Sequence, residues 1–429
     1  MSGLRIAVVS DEGTQGGASI ACTRLCLALR AAGHTVARIH HARFAPDPQS
    51  ADVFYAVEQR SFSSKVLDNL PRNELSRRVL QQRWAGQLHA ILHDFEPDIV
   101  NLHNLHNAKW DIEIVEEFLR HTPVVWTLHD MWALTGSCAY SFACRQFETG
   151  CTRACPQVGT YPTLPAGMVP GAHARRRALW HHAGGRLVFV APSRWLAGEA
   201  RRAAPRVPAK VIPNGLDLDV FRPRGKAEAR AWLGVPDDER PVLLTAASSL
   251  ADPRKGTREL TEALGRLGTP VRLLMMGRGE PMKLPGNVES HLLGPVTGDP
   301  FLALAINAAD AFVLPSKADN LPLVVQEAMA CAVPCLGTAV GGIPEMIADG
   351  ETGWLAGDAG PDALLAALEK AFAGRTRWPE MGAAGRRRAE RGYSAARQAE
   401  RYTGLFRRLL SAHGVSSTHG CHGHERGSP

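Results

Sequence analysis

SKADNLPLVVQEAMACAVPCLGT, residues 316–338, contains two carboxylates eight positions apart, Asp319 and Glu327. The apolar run at residues 309–315 predicts a buried strand that leads into a loop. Pro322 is expected at an early position of the following helix, where its missing N–H does no harm. Asp319 would then lie in the loop and Glu327 about two turns away on the helix. The free amides of such a helix start point at a bound anion. The arrangement suits a sugar nucleotide, with amides on its phosphates and carboxylates on its sugar hydroxyls.

The order of strand-like and helix-like segments predicts the fold class. Apolar strands alternate with helical patterns in both halves of the chain, which indicates two doubly wound, Rossmann-like α/β domains facing a central cleft. We expect an N-terminal domain at residues 1–212, a C-terminal domain at 213–390, a helix at 391–412 that packs back on the first domain, and a disordered tail at 413–429. The predicted strands are 4–10, 34–40, 98–103, 124–129 and 187–191, then 242–246, 271–276, 311–314 and 334–337.

Basic residues are concentrated in the first half of the chain. The 429 residues carry a net charge of +7, and residues 1–212 hold 24 Lys and Arg against 17 Asp and Glu, so that the remainder is neutral. Such a half would attract a pyrophosphate-linked acceptor or an anionic membrane surface, or would be a solvated basic face. No apolar run is long enough to span a bilayer, and the first residues lack a signal peptide pattern. We expect a cytoplasmic protein, with peripheral contact at the inner face of the membrane left open.

A glycine-bearing loop at residues 13–17 follows the first predicted strand. Paired glycines let the backbone approach a ligand closely. Gln15, Gly16 and Gly17 are therefore candidates for contact with the phosphates of a sugar nucleotide (the donor) and with the molecule that would receive its sugar (the acceptor). An ordinary strand-to-helix turn is the alternative.

A second glycine loop covers residues 337–345 and follows a predicted strand of the C-terminal domain. Gly341 and Gly342 would bring main-chain amides to the sugar or the phosphates. Glu345 would cap the helix that follows.

A histidine ends one of the predicted strands. His129 closes the run at residues 124–129, and a strand-end side chain in this architecture faces the cleft. It would donate a hydrogen bond to a sugar hydroxyl or to a carbonyl near the reacting carbon, and a satisfied core histidine is the alternative. His103 and His106, which follow the preceding strand, show a weaker form of the same signal.

A basic tripeptide, Arg254-Lys255-Gly256, lies between a strand and a helix of the second domain. Lys255 there would neutralise a diphosphate leaving group as charge develops on it, with Arg254 beside it. Alone the tripeptide would indicate surface charge, but together with the two carboxylates it predicts a donor site.

Four cysteines crowd the loop at residues 136–156. Cys138, Cys144, Cys151 and Cys155 have the number and chemistry of a closed tetrahedral thiolate site for a structural zinc ion. Their gaps do not form paired C-x2-C knuckles, so a disulfide and free thiols stay open as alternatives. A metal would order a loop with little apolar material of its own.

The combination of these motifs resembles the retaining glycosyltransferases of family 4, which have the GT-B fold. The resemblance covers nearly the whole chain, and its most specific part runs from Asp319 to Glu327, which matches the family's E-x7-E pattern with aspartate first. It implies that Asp319 contacts the transferred sugar with help from the amides of Asn320 and Leu321. It also implies that Glu327 binds the nucleotide ribose.

Other residues match the same family pattern. Lys255 matches the lysine that binds the diphosphate, His129 the histidine near the transferred sugar, and Gly16 and Gly17 the N-terminal glycine loop. The HD-x-W-x-x-TG-x-C stretch that begins at His129 resembles enzymes of surface polysaccharide assembly.

Two departures from the family pattern affect the donor site. Aspartate is one methylene shorter than glutamate, so a sugar contact at Asp319 would be weaker or water-mediated. Many relatives carry an arginine six residues before the lysine, and Ser249 stands there in this chain. Neutralisation of the diphosphate would then rest on Lys255, helped by Arg254 or Arg278.

The resemblance implies transfer of a hexose-type sugar from a nucleoside-diphosphate sugar to a hydroxyl acceptor, with retained anomeric configuration. The acceptor would be a glycan or a polyprenyl-diphosphate-linked oligosaccharide. No catalytic metal is required, because a lysine and helix amides stabilise the diphosphate, and no nucleic acid is expected as a partner.

Three other classes of protein compete with this interpretation. An epimerase or a phosphorylase of the same fold would use a similar site. A zinc protein that binds nucleic acid is disfavoured, because the cysteines are not spaced as fingers and the basic residues are not interleaved with aromatics. A nicotinamide oxidoreductase is disfavoured because residues 13–18 do not form G-x-G-x-x-G.

Overall fold

The first half of the chain folds around one parallel sheet. The structure, a computed structural model, describes residues 3–11, 16–41, 46–57, 74–107, 110, 112–279, 284–295 and 298–414, with the backbone alone for 74–84. The strands are β1 Arg5–Ser10, β2 Thr35–His41, β3 Val53–Val57, β4 Ile99–Leu102, β5 Val124–Thr127, β6 Leu187–Ala191 and β7 Ala209–Val211. They lie in the order β3-β2-β1-β4-β5-β6-β7, and all pairs are parallel.

Helices cover both faces of this sheet. They are α1 Gly17–Ala31, α2 Glu74–Phe95, α3 Glu113–His121, α4 Gln146–Thr149, α5 Val169–His182 and α6 Arg194–Ala203. Successive side chains of β1 point to opposite faces, so that Ala7 and Val9 enter one buried cluster while Ile6 and Val8 enter another. Two buried faces explain why the strands read as continuous apolar runs.

The second half repeats this plan with six parallel strands. They are β8 Val242–Ser249, β9 Val271–Arg278, β10 Val288–Gly294, β11 Ala311–Leu314, β12 Cys335–Thr338 and β13 Gly353–Ala356, in the order β10-β9-β8-β11-β12-β13. The helices are α7 Lys226–Trp232, α8 Thr257–Arg266, α9 Asp299–Asn307, α10 Leu323–Ala330, α11 Pro361–Ala373, α12 Trp378–Gly392 and α13 Ala395–Ala412. Along the described parts of the chain, no helix combines the length and the apolar character needed to cross a bilayer.

The chain passes between the two sheets at two adjacent places. The Leu216 N–H donates to the Tyr393 carbonyl over 2.9 Å, and the Ala395 N–H donates to the Leu216 carbonyl over 3.0 Å. Glycine is needed at Gly215, where a Cβ would lie 2.7 Å from the Ala395 Cα. Two crossings side by side form a short hinge region between the domains.

The last helix, α13, packs against the first sheet. Tyr402 and Phe406 are fully buried and share a cluster with Ile6 and Leu25. The Tyr402 hydroxyl also pairs with Thr127 Oγ1 at 2.9 Å, so that a polar contact joins α13 to the end of β5.

The predicted doubly wound α/β architecture is confirmed, and the strands that the sequence did not reveal are the four sheet edges, β3, β7, β10 and β13. β7 (AKV) and β10 (VESHLLG) contain charged residues and lack the continuous apolar run of a central strand, whereas β3 (VFYAV) and β13 (GWLA) are apolar runs that the sequence analysis did not assign. One helix start also differs from expectation. Pro322 is the extended N-cap of α10, with φ −62° and ψ 121°, and does not occupy the first helical turn. The predicted tail lies outside the described residues from position 415 onwards.

Truncation of Phe406 tests the packing of α13. Phe406→Ala would remove a fully buried ring and lower the free energy of unfolding by about 3–4 kcal/mol. Urea denaturation followed by circular dichroism measures this loss. The matched control, Arg408→Ala on the exposed face of the same helix, should change it by less than about 0.5 kcal/mol. Equal stability of the two variants would contradict the packing.

Candidate active site

The two predicted carboxylates are buried where the C-terminal domain meets the N-terminal domain. Asp319 lies in the loop between β11 and α10 and is 8% exposed, and Glu327 lies on α10 and is 2% exposed. Leu321, in the same loop, packs into the core of its own domain. Its side chain is therefore structural, and only its main chain can meet a ligand.

Asp319 is the centre of a cationic cluster. Its Oδ2 atom lies 2.7 Å from Lys255 Nζ and accepts a hydrogen bond from Ser316 Oγ at 2.9 Å, and Arg254 Nη1 is 3.7 Å away. Burial acts to raise the pKa of this carboxyl, but Lys255 and Arg254 outweigh it, so that the pKa lies below its usual value. Asp319 is therefore charged at neutral pH.

Arg254 connects this cluster to the cysteine loop of the other domain. The guanidinium donates to the Ala318 carbonyl over 2.8 Å and lies over the Tyr140 ring, 5.1 Å from its centroid. Tyr140 in turn stacks on Trp195, and burial raises the pKa of its phenol well above the usual range. Tyr140 is a site residue that the sequence did not mark, since a lone tyrosine in a loop carries no pattern.

Asn320 joins the two domains next to Asp319. Its Oδ1 atom accepts from Ser193 Oγ at 2.6 Å, and its Nδ2 donates to the His129 carbonyl over 3.1 Å. Both partners belong to the N-terminal domain. The predicted residues His129, Asn320 and Asp319 therefore meet in one place.

His129 takes part in a chain of buried hydrogen bonds. Asn101 Oδ1 can only accept, so His103 Nε2, 3.0 Å away, carries a proton. Burial lowers the pKa of His103 well below its usual value and that of His129 to about 3, so both rings are neutral at pH 7. His103 Nδ1 must then accept from His129 Nε2 at 2.8 Å. The one N–H of His129 thus donates to His103, and only the Nδ1 lone pair can bind a ligand. We had expected His129 to be a hydrogen-bond donor to the ligand.

Glu327 contacts an arginine of the N-terminal domain. Its Oε1 atom lies 2.8 Å from Arg24 Nη2, and the same arginine binds Asp299 at the start of α9. Burial raises the pKa of Glu327, while Arg24 acts to lower it. Sequence analysis missed both Arg24 and Asp299, because the contact joins residues about 300 positions apart on helices without a shared motif.

The glycine loops serve mainly to bring backbones together. A Cβ at Gly341 would lie 1.8 Å from the Asp319 carbonyl oxygen, and one at Gly342 would lie 1.9 Å from that of Asn320. These glycines therefore allow their own loop to pack directly against the backbone of the Asp319 loop. In the first loop, Gly16 is the N-cap of α1 with φ 91° and Gly17 begins the helix, while Gln15 lies outside the described residues.

Glu345 caps a different helix from the one expected. Its carboxylate accepts from the amides of Arg194 at 2.8 Å and Trp195 at 2.7 Å, at the start of α6 in the other domain. A carboxylate can accept from the free amides of any helix start that lies beside it. Glu345 lies beside the start of α6, so its capping hydrogen bonds join the two domains.

The structure joins none of the four loop cysteines in a disulfide; Cys138 is buried and the other three are partly exposed. Burial, together with neighbouring thiols, raises the pKa of Cys138 to about 12 and that of Cys151 to about 11. The thiols lie in one neighbourhood, but they would have to move closer to share an ion. Within the described parts of the chain, three potential metal-ligand atoms lie within 4.8 Å of one another at a different place, near the surface. They belong to His89, Glu117 and His121.

Two family models match successive parts of the chain. Residues 15–220 match the family model described as Glycosyltransferase Family 4, and residues 240–373 match the one described as Glycosyl transferases group 1. WcaC of Escherichia coli (strain K12), which by its name is a glycosyl transferase of colanic acid biosynthesis, is 29% identical over 292 residues. That alignment covers 65% of this chain and 65% of WcaC, just under two thirds of its length.

Solved structures share the fold. Sucrose-phosphate synthase from Thermosynechococcus elongatus superposes with a TM-score of 0.72 at 22% identity, over 95% of this chain and 99% of that one. Anabaena Alr3699/HepE, in complex with UDP and glucose, superposes with a TM-score of 0.66 at 16% identity, over 94% and 99%. These similarities confirm the predicted GT-B fold, in which two Rossmann-like domains face each other.

Removal of Lys255 tests the buried ion pair. Lys255→Met would leave Asp319 without its closest cation and lower the free energy of unfolding by about 3 kcal/mol. Adding Asp319→Leu should recover most of this loss, because an apolar pair can replace a buried ion pair. Urea denaturation of the two variants measures both effects.

Lys317→Met is the matched control, since Lys317 pairs with Glu259 on a more exposed surface and should contribute less than about 1 kcal/mol. A double variant no more stable than Lys255→Met alone would contradict the dependence of Asp319 on Lys255.

Proposed function

We propose that this chain, which joins a Glycosyltransferase Family 4 domain to a Glycosyl transferases group 1 domain in the GT-B fold, is a retaining glycosyltransferase. Its donor is a nucleoside-diphosphate hexose, and its acceptor is a hydroxyl group. The observation that carries the proposal is the partly buried cluster of Lys255 and Arg254 around the buried Asp319, with Glu327 on α10, at the interface of the two domains.

The diphosphate of the donor binds to the cationic side of this cluster. Lys255 Nζ and the Arg254 guanidinium lie on the same carboxylate oxygen, so their charges converge on one point beside the N-terminus of α10. Ser249, where many relatives have arginine, pairs in register with Arg278, whose exposed side chain lies at the end of β9. Arg254 and Arg278 together supply the positive charge that Ser249 lacks.

The carboxylates bind the sugar and the ribose. Asp319 accepts from a hydroxyl of the transferred sugar, while the main-chain amides of Asn320 and Leu321 hold its neighbours. Glu327 accepts from the ribose hydroxyls. Lys255 and Asp319 are in contact, so the diphosphate that binds Lys255 and the sugar that binds Asp319 lie next to each other. Negative charge that develops on the leaving diphosphate attracts Lys255 toward it.

The acceptor reacts on the face of the sugar from which the diphosphate departs. The leaving phosphate removes the acceptor proton, so no protein nucleophile is needed and no catalytic metal is invoked. His129 supports this geometry as an acceptor, because its free Nδ1 lone pair can bind a sugar hydroxyl. Contacts such as Asn320 to Ser193 close the domains over the donor and exclude water, which would hydrolyse it.

The acceptor binds on the basic N-terminal domain. A glycan or a polyprenyl-diphosphate-linked oligosaccharide fits that charge, and peripheral contact with an anionic membrane would bring the second of these within reach. Colanic acid biosynthesis in the name of WcaC supports a role in surface polysaccharide assembly.

A panel of UDP-, GDP-, ADP- and dTDP-hexoses, with and without acceptor glycans, tests the reaction. One donor should stabilise the protein against heat and be consumed in an acceptor-dependent way. Glu327→Ala should raise the KM for that donor about tenfold, through loss of a buried hydrogen-bond acceptor. Lys255→Ala should lower kcat about 100-fold, through loss of charge stabilisation of the leaving group.

Lys317→Ala, next to the site in sequence but paired with Glu259, is the control and should keep both constants. Proton NMR of the product should show the anomeric configuration of the donor. An inverted product would refute retention, and normal kinetics in both site variants would refute this site. Turnover without an acceptor would point to an epimerase.

Metal analysis tests the cysteine loop. If Cys138, Cys144, Cys151 and Cys155 hold a structural zinc ion, the purified protein should contain about one zinc per chain, and Cys155→Ser should lose it and melt at a lower temperature. His89→Ala, at the surface group on α2 and α3, is the control and should keep that zinc. A folded, active, zinc-free protein would contradict the assignment.

A further inference from the structure

Arg24 is a buried cation at the interface between the two domains. It lies on α1 of the N-terminal domain and is 7% exposed. Its Nε and Nη2 atoms grip Asp299 through both carboxylate oxygens, at 3.1 and 2.8 Å, and Nη2 also lies 2.8 Å from Glu327 Oε1. The guanidinium packs over Phe221, 5.0 Å from the ring centroid. One side chain of the first domain therefore holds two helices of the second, α9 and α10.

These contacts exist only while the domains are closed. Opening about the hinge at Leu216 and Ser394 would separate Arg24 from both carboxylates, and Glu327, 3% exposed in its side chain, would lose the cation nearest to it. Removing one partner of a buried ion pair lowers the free energy of unfolding far more than removing one partner of a surface ion pair, because the remaining buried charge is left unpaired. The closed arrangement and the charge of Glu327 are therefore coupled.

The same arginine has an unused donor. Arg24 Nη1 is buried and has no hydrogen-bond partner among the described residues. A buried donor without a partner costs about 1–3 kcal/mol, which an oxygen of a bound ligand would relieve. Arg24 holds Glu327 by Oε1, so that Oε2 is the oxygen left for a ligand hydroxyl.

We propose that Arg24 is an interdomain latch and a positioning residue, which closes the two domains through Asp299 and orients Glu327 for the nucleotide ribose. The ribose part rests on the proposed function, whereas the latch does not. Donor binding and domain closure then favour each other, because each needs Arg24 and Glu327 in contact.

Two substitutions separate positioning from simple structural support. The charged or titratable groups that face Glu327 are Arg24, Asp299 and the Cys331 thiol. Burial raises the pKa of Glu327, Arg24 lowers it, and Asp299 raises it. With the domains closed, Arg24→Ala should therefore raise this pKa further, and Asp299→Asn should lower it, although both substitutions favour the open arrangement. Ionised Glu327 accepts from the ribose hydroxyls more strongly than the neutral acid does, so the two variants should respond to pH in opposite ways.

Small-angle X-ray scattering measures the latch without reference to catalysis. Arg24→Ala and Asp299→Asn should each increase the radius of gyration by roughly 5%, as expected for opening of a two-domain hinge. Arg30→Ala is the matched control, since Arg30 lies on the same helix but pairs with Asp52 near the surface. Asp299 is more exposed than Arg24, so this variant keeps the test open if Arg24→Ala does not fold. Unchanged dimensions in the folded latch variants would overturn the latch.

Calorimetric titration with UDP, ADP and GDP between pH 6 and 8.5 measures the positioning role. Dividing each affinity by that of wild type at the same pH cancels the titration of the nucleotide phosphate. The relative affinity of Arg24→Ala should then fall by up to about tenfold for each pH unit by which the pKa of Glu327 exceeds the pH. Asp299→Asn should show a flatter profile than wild type. If the plots of nucleotide affinity against pH for both variants ran parallel to that of wild type, the positioning role would be overturned. If neither these three nucleotides nor dTDP binds wild type, the proposed function fails, and the scattering result still decides the latch.

Discussion

The ion pair between Lys255 and Asp319 is the contact on which the geometry of the cleft depends. A carboxylate that is 8% exposed stays charged only with a cation in contact, and Lys255 Nζ meets it at 2.7 Å. This distance requires the loop after β8 to lie against the loop after β11. Gly256 permits that approach, since a Cβ there would lie 1.9 Å from the Pro315 carbonyl oxygen. One electrostatic requirement thus sets the course of two loops.

The same requirement extends across the domain boundary. Asn320, next to Asp319, is held by Ser193 and by the main chain of His129, so the position of the carboxylate depends on the closed arrangement. Tyr140 brings the cysteine loop against Arg254, which gives that loop a part in shaping the donor side of the cleft. Tyr140 therefore attaches the cysteine loop to the donor side of the site.

Local features of the site could be predicted from the sequence, and features that join distant segments could not. The loop and helix around Asp319 and Glu327 follow from an apolar strand, a proline and a helical pattern within about 20 residues. β7 and β10 were missed because charged residues interrupt their apolar runs, and Arg24 was missed because its partners are fixed only by domain packing. His129 lies just after the end of β5, but its role as an acceptor depends on Asn101, on the preceding strand β4.

A crystal structure with the nucleotide sugar that stabilises the protein most against heat would locate the donor site directly. We expect diphosphate oxygens within hydrogen-bond distance of Lys255, ribose hydroxyls on Glu327 and a sugar hydroxyl on Asp319, with the domains closed. Density for the nucleotide in any other part of the molecule, with Lys255 and Asp319 still paired as they are here, would contradict it.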